Sequence, residues 1–508
     1  MTVRLSVITP IYNPNLRELR HCLKSAKGPG VEHILVLDGK QNVSRLGSLR
    51  GLARRYGAKL EVVENQAGIS AASNVGANLA SGEFLVFLDQ DDFLVKSWWK
   101  PLIQKLDGAD YVYSDCFIAN EAGKPTNLVR KPAWSPTRLI FNMYAVHFMA
   151  VRKSIFDQVG GFRSEFDGSQ DHDLALRVSR VTNRFEHIPF PLYNWRESRD
   201  STASNPDNKK WAFDAGLEAA QDHLRTFSPS AVIQKVEGFP GALRATFPDR
   251  TEPVSIVIPT AFQASPTGLL YVDNLIESIS PFLSPKLGDE IVIVHGGEKN
   301  EGLIAGSQDF KGIPLSLVED QAAFNFSRRC NIGFLTAKNE HVLLLNDDIE
   351  FGEENPLNNL FGLLGLPNVG LVGAMLAFPG YAIQHGGHTF KGGLVGHAYY
   401  GETSLNQPLM DLVIDHEVVG VTGALMFQLK STWQAVGGFS HAFPLNYNDV
   451  DYCQKIRTLG YTIVQANSVT AIHHESVTRE SSIETWELDL LNQRWQDVLS
   501  KDEFSISG

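Results

Sequence analysis

The chain has 508 residues, 43% hydrophobic and 20% charged, a length that allows two α/β domains of roughly 230 to 250 residues, each with a full core. A net charge of −12 argues against a non-specific nucleic-acid surface, which rests on clustered Lys and Arg. No stretch approaches ~20 uninterrupted apolar residues and MTVRLSVITP enters a strand at once, so neither a membrane span nor a signal peptide is expected.

Cys22, Cys116, Cys330 and Cys453 are scattered without CxxC spacing, which fits unpaired thiols in a reducing, cytoplasmic setting. RLSVITPIYN reads as a strand broken by Pro10, and Leu16, Leu19, Cys22 and Leu23 mark an amphipathic helix after it. VEHILVLDGK (31–40) and KLEVVEN (59–65) are further strands, the alternation expected of a parallel sheet wound with helices. Ligand-facing loops then fall at residues 9–15, 38–42 and 65–70, and Gly68, Asn74 and Gly76 flank the next helix.

FLVFLDQDDF (84–93) is an apolar run that ends abruptly in Asp89, Gln90, Asp91 and Asp92. It reads as a buried parallel strand delivering carboxylates to its carboxyl end, where open sheets place ligand sites. Two acids one residue apart could hold a divalent cation; the competing reading is that Asp91 or Asp92 N-caps a following helix. DYVYSDC (110–116) is another strand ending in an acid, and the segment 130–150, rich in Pro and aromatics, could line an acceptor groove. RKSIFDQV is a helix stopped by Gly160-Gly161, with Phe162 anchoring the loop, and Asp171 and Asp173 open a helix whose apolar face carries Leu174, Leu176 and Val178.

Residues 228–253 read as a hairpin linker around Gly238-Phe239-Pro240-Gly241, too apolar for a flexible tether. Beyond it the landmarks return in order. SIVIPT (255–260) answers SVITP, CNIGFLTAKNE (330–340) answers SNVGANLASGE, HVLLLNDDIEF (341–351) repeats the acid-tipped strand, and KSTWQAVGGF (430–439) answers KSIFDQVGGF. Asn74 and Asn331 are 257 positions apart, as are Asp91 and Asp348, so the chain holds two copies of one α/β unit. The second copy is longer by an insertion around QHGGHTFKGGLVGHAYYG, which reads as shaping a different donor or acceptor pocket; His385 and His397 within it read as packed or surface features.

Both halves resemble family 2 glycosyltransferases with the GT-A fold, the first through TPIYN, NQAGISAASNVGANLASGEFLVFLDQDD and VGGFRSEFDGSQDHDLALRV. The second does so through FNFSRRCNIG, LLLNDDIE, AIQHGGHTFKGGLVGHA, VTGALMF, VGGF, NDVDYCQKIRTLGY and IHHES, and is most similar to the rhamnosyltransferase branch. The tandem resembles bacterial enzymes that build O-antigen or capsular polysaccharide. It implies two GT-A (Rossmann-like) domains, residues 1–227 and 253–508, joined by the linker 228–252.

The resemblance implies a Mg²⁺ or Mn²⁺ ion held by Asp89 and Asp91 in the first half and by Asn346 and Asp348 in the second. His473 and His474 match the position of a metal-binding His, where the first half has Asn194-Trp195-Arg196. Donor-binding positions fall on Pro10, Tyr12, Asp38, Asn74 and Asp89, and on Pro259, Asn331 and Asp347. Asp171 and Asp449 match the family's catalytic base, which deprotonates an acceptor hydroxyl and so gives inversion in one displacement. The implied partners are a dTDP- or UDP-sugar donor and a growing, lipid-linked glycan, with peripheral attachment to the inner membrane face and no nucleic acid. A different class of function stays open, in which one domain, more readily the second, binds glycan or scaffolds without turnover. A nucleotidyltransferase should carry a basic Gly-rich loop near its first strand, which TPIYNPN and PTAFQAS do not offer.

Overall fold

The computed structural model describes residues 4–39, 46–197, 210–266, 268–298, 302, 304, 306–403, 409–474 and 485–505. Residues 40–42 of one expected ligand-facing loop, and Glu475 after the His pair, lie outside them. The chain divides into two compact units, one built from residues up to Thr226 with Lys235–Leu243, the other from Phe227–Gln234 with Arg244–Ser505. Among the described residues no helix is long and apolar enough to cross a membrane.

The first unit begins with β1 (Leu5–Ile11), α1 (Leu16–Ser25), β2 (Val31–Asp38), α2 (Leu46–Tyr56), β3 (Lys59–Val63), α3 (Ile69–Leu79) and β4 (Phe84–Phe87). The strands lie in the order β3-β2-β1-β4, all parallel, as βαβ alternation requires. Leu5, Val7, Phe84 and Val86 are fully buried against Cys22 of α1 and Trp98, each such side chain contributing ~2 kcal/mol. Asn15 starts α1 by accepting the Arg17 N–H at 3.0 Å.

The remainder of the unit is β5 (Phe93–Leu94), α4 (Trp99–Lys105), β6 (Tyr111–Ala119), β7 (Pro125–Val129), α5 (Pro136–Phe141), β8 (Met149–Arg152), α6 (Lys153–Gln158), α7 (Gln170–Ser179), β9 (Phe185–Arg196) and α8 (Lys210–Leu224). Here the sheet departs from the all-parallel expectation, because β8 enters between β4 and β6 and runs antiparallel to both. The acids after β4 lead into β5, which pairs antiparallel with β9, so neither Asp91 nor Asp92 caps a helix.

A hairpin of β10 (Val232–Lys235) and β11 (Leu243–Thr246) occupies the expected linker. Then follow β12 (Val254–Pro259), α9 (Tyr271–Ile279), β13 (Glu290–His295), β14 (Asp309–Phe310), β15 (Ile313–Glu319), α10 (Phe326–Thr336), β16 (His341–Leu345), β17 (Ile349–Phe351), α11 (Pro356–Leu364) and β18 (Val369–Ala377). The insertion forms β19 (Ile383–His385), β20 (His388–Lys391) and β21 (Leu394–His397), and the chain closes with β22 (His416–Glu417), β23 (Leu425–Leu429), α12 (Lys430–Ala435), α13 (Asn448–Thr458), β24 (Thr462–His473) and α14 (Thr485–Leu499). The strand order β15-β13-β12-β16-β23-β18-β24-β17 matches β3-β2-β1-β4-β8-β6-β9-β5 strand for strand. The sequence repeat is therefore a repeat of topology.

Candidate active sites

In the first unit the Leu88 N–H closes on the Ile8 carbonyl at 3.0 Å, and the acids emerge beyond the carboxyl ends of the parallel strands. Asp92 is buried, accepting the Arg196 N–H and the Tyr193 hydroxyl at 2.7 Å each. Burial, then repulsion from Asp89 and Asp91, push its carboxyl well above the ordinary range. Three carboxyl groups that crowd in this way make a site whose repulsion a cation relieves, and hard oxygen donors suit Mg²⁺ or Mn²⁺. Gln90 ties the loop to the first strand, its Oε1 accepting the Tyr12 N–H at 2.9 Å and its Nε2 donating to the Tyr12 carbonyl at 3.0 Å; the Tyr12 ring itself is exposed.

Asp89 and Asp171 line one open cleft, together with Pro10, Ser73, His147 and Gln170. Asp171 opens α7, and desolvation pushes its carboxyl up to about 6. Asp173, on the same turn, is buried and bonded to Arg163 and to Arg177, whose Nη2 lies 2.6 Å away. The two acids thus divide the work: Asp173 fixes the turn and Asp171 faces the cleft.

In the second unit Asp347 takes the place of Gln90, its Oδ2 accepting the Thr260 hydroxyl at 2.6 Å just past Pro259, which is buried at the end of β12. Burial lifts the Asp347 carboxyl to about 6. Asp348 Oδ1 lies 3.0 Å from His473 Nε2, and Asn346 Nδ2 lies 3.5 Å from the same nitrogen. His473 Nδ1 meets Gln384 Oε1 at 2.6 Å; an amide oxygen only accepts, so Nδ1 carries a proton and Nε2 is the atom turned toward Asp348. An imidazole nitrogen and a carboxylate oxygen at 3.0 Å are held by a proton or a cation between them. The donor set of carboxylate, imidazole and amide fits a divalent ion.

His474 does not join this set. Its Nε2 pairs with Glu350 Oε2 at 2.8 Å and its ring lies by Tyr271, because adjacent residues of a strand face opposite sides of the sheet. β24 pairs with β17 so that His473 faces Ile349; the equivalent β9–β5 register, with Asn194 opposite Phe93, extends to put Trp195 at the corresponding place. Asp449 opens α13 as Asp171 opens α7, but its Oδ2 accepts the Gly423 N–H at 3.0 Å and its Oδ1 the Val450 N–H at 2.8 Å. Asp451 plays the part of Asp173, bonded to Arg494 at 3.0 Å and to the Trp495 indole at 2.9 Å from α14.

Three residues expected at donor contacts make hydrogen bonds within the chain. The Asn74 amide is occupied by Phe162, donating to its carbonyl at 2.8 Å and accepting its N–H at 2.9 Å, and Asn331 holds Phe439 in the same way at 2.8 Å each. Asp38 accepts the N–H groups of Ala67 at 2.8 Å and Gly68 at 3.1 Å, so it shapes the turn into α3. All three are short polar side chains that satisfy buried backbone near the site, a demand that sequence does not display. Gln384, Gln90 and Tyr193 carried no sequence signal beyond their position beside predicted site residues.

Residues 6–164 match the family model described as Glycosyl transferase family 2. This stretch is a family 2 glycosyltransferase domain. The chain is 28% identical over 490 residues to the O-antigen biosynthesis protein RfbC of Myxococcus xanthus, covering 94% of this chain and 38% of that protein. It is also 28% identical to the uncharacterized protein y4gI of Sinorhizobium fredii, covering 97% of this chain and 56% of the relative. The chain thus spans about half or less of the length of these curated relatives. Among solved structures, S. aureus TarS residues 1–349 in complex with UDP-GlcNAc is 17% identical with a TM-score of 0.34, covering 44% of this chain and 66% of that one. The glycosyltransferase-like character therefore rests on the family 2 match at residues 6–164 and the similarity to RfbC over 94% of this chain.

Proposed function

We propose that the chain is a two-site inverting glycosyltransferase that moves sugars from dTDP- or UDP-linked donors onto a growing bacterial surface glycan, O-antigen or capsule. The observation that carries this reading is the meeting of Asp89, within the family 2 match, and Asp171, just beyond it, in one cleft of the first unit. Asp89 and Asp91 in the first unit, and Asp348, Asn346 and His473 in the second, would hold a Mg²⁺ or Mn²⁺ ion, which would supply countercharge for the departing diphosphate. Asp171 takes the proton of an acceptor hydroxyl as that oxygen attacks the anomeric carbon opposite the leaving group, giving inversion. A carboxyl raised to about 6 is a better base than an ordinary Asp while still ionised at neutral pH. The repeated strand order supports a second GT-A domain in residues 253–508, with Asp449 as its base and 228–252 as linker. The acceptor is lipid-linked, met at the inner membrane face.

A second reading, in which the second unit binds glycan without turnover, is favoured by Asp449, whose two oxygens already accept backbone N–H groups. Nucleotide diphosphate release across a panel of nucleotide sugars, with product linkages read by NMR, separates the two. Two linkages support two active sites; one linkage, lost with Asp171→Asn alone, supports a silent second unit; no release with any donor sinks both.

A further inference from the structure

The insertion of the second unit brings together three imidazoles to which the proposed transfer assigns no role, one of them, His388, with its Nε2 3.7 Å from Oδ2 of the proposed base Asp449. Gly392 and Gly393, with φ of 61° and 83°, make the two-residue turn between β20 and β21 that matches strand twist. The register set by that turn places His388 directly opposite His397. Gly386 and Gly387 bend the chain just before β20 and bring His385, the last residue of β19, onto the same pair. Ring centres lie 4.8 Å apart for His385 and His397, 5.2 Å for His385 and His388, and 5.6 Å for His388 and His397, with planes at 77° to 89°.

One nitrogen from each ring lies within 4.8 Å of the others. Imidazoles bound tetrahedrally at ~2.0 Å from zinc have ring centres about 5 Å apart, so these rings already stand near the required spacing. His388 Nδ1 is buried with no hydrogen-bond partner, which is rare for an interior polar atom. Burial holds His385 and His388 below the ordinary imidazole range, so both present neutral rings. His397 is exposed and opens the cluster to solvent.

We propose that His385, His388 and His397 form a zinc site, separate from the Asn346, Asp348 and His473 set, with its fourth position open. Three imidazoles are borderline-soft ligands that favour zinc over Mg²⁺ or Mn²⁺, and the nearest carboxylate, Asp449 Oδ2 at 3.7 Å from His388 Nε2, is already held by a backbone N–H. His385 and His397 face each other through Nδ1 at 2.7 Å, a hydrogen-bonded pair that shares a ring proton, and the Thr422 N–H donates to His385 Nε2 at 3.1 Å. Zinc on His385 Nδ1 sends that ring's proton to Nε2, against the Thr422 N–H, so the loop residues 422–423 before β23 must shift. Gly423 supplies one of the two N–H groups on Asp449, and zinc occupancy is thereby linked to the setting of the proposed base. The site itself stands whether or not the second unit transfers sugar.

The test uses the full chain, stripped with chelator, dialysed against zinc alone and measured for metal content, with affinity read by competition against a chromophoric chelator. The expected result is about one tightly held zinc per chain, lost or weakened more than tenfold in His388→Ala and in the exposed variant His397→Gln, and retained in His473→Ala. Circular dichroism checks the fold of His388→Ala; His397→Gln, at a solvent-facing position, keeps the test open if that variant unfolds. No zinc retained by the wild type, or zinc lost with His473→Ala and kept in His397→Gln, overturns the proposal.

Discussion

Asn74 grips Phe162 by both of that residue's backbone polar groups, at 2.8 and 2.9 Å, and so binds α3 to the loop that precedes the Asp171 helix. The glycine before Phe162 explains how the clamp closes: a Cβ on Gly161, at φ 71°, would lie 2.7 Å from Asn74 Oδ1. Gly438 and Asn331 repeat the arrangement at φ 67° and 2.6 Å. The Gly-Gly-Phe motif is therefore a docking point between helix and loop in both units.

Asn74→Ala leaves the Phe162 N–H and carbonyl without their partner, at about 1–3 kcal/mol per buried group. Chemical denaturation monitored by circular dichroism should show the loss in the first unit, and Gly161→Ala should destabilise through the same contact. Unchanged stability together with weakened donor binding would return Asn74 to the role of a ligand contact.

The two proposed bases should be separable. Asp171→Asn should reduce one transfer by two or more orders of magnitude and leave the other linkage intact, with Asp449→Asn doing the reverse, since general-base catalysis contributes roughly 10²–10⁴-fold. Loss of both linkages in either folded single variant would refute two independent sites.

The raised pKa of Asp171 makes opposite predictions for activity and stability. A base with pKa about 6 must be ionised, so the first transfer should fall about tenfold per pH unit below that value. The folded pKa lies above the ~3.9 of an unfolded Asp, so the native state holds this proton more tightly. Its favourable contribution to stability is present below about pH 4 and lost as pH rises through 6. Asp171→Asn should accordingly be inactive yet more stable than wild type at pH 7.5, by on the order of 1 kcal/mol because the carboxyl partly faces the cleft, and no more stable at pH 3.5. Thermal melts at the two pH values decide it.

The proposed cation in the second unit should depend on His473 and not on His474. His473→Ala should weaken Mn²⁺ binding, followed by calorimetry, by more than tenfold, and Gln384→Leu by about 10–100-fold, because Gln384 accepts from Nδ1 and so orients Nε2 toward Asp348. His474→Ala, which breaks a half-exposed pair with Glu350, should leave the affinity unchanged. Equal losses for both histidines would show that the pair acts on the strand end and not on the ion.

Patterns local to the chain were legible in the sequence. FLVFLDQDDF and HVLLLNDDIEF foretold buried strands with acids at their tips, because an uninterrupted apolar run can be satisfied only by cover on both faces. Gly160-Gly161 foretold the end of α6, because glycine adopts positive φ without a Cβ clash. The ordered recurrence of these signals, 257 positions apart at Asn74 and Asn331, implied two units of one topology, and the strand order repeats accordingly.

What tertiary structure alone decided is which polar groups meet. Spacing presents Asp91 and Asp92 as equals, yet Asp92 is turned inward by Arg196 and Tyr193, more than a hundred residues away in sequence. Neighbouring His473 and His474 look interchangeable on paper; the pleat of β24 sends one to Asp348 and the other to Glu350. His385, His388 and His397 form a cluster because two Gly-Gly bends fold their ribbon back on itself, a register set by backbone dihedrals and not by the histidines. Periodicity reports which face of an element is buried; the partner of a buried polar atom is fixed by long-range packing, since that atom bonds whatever the fold places within about 3 Å of it.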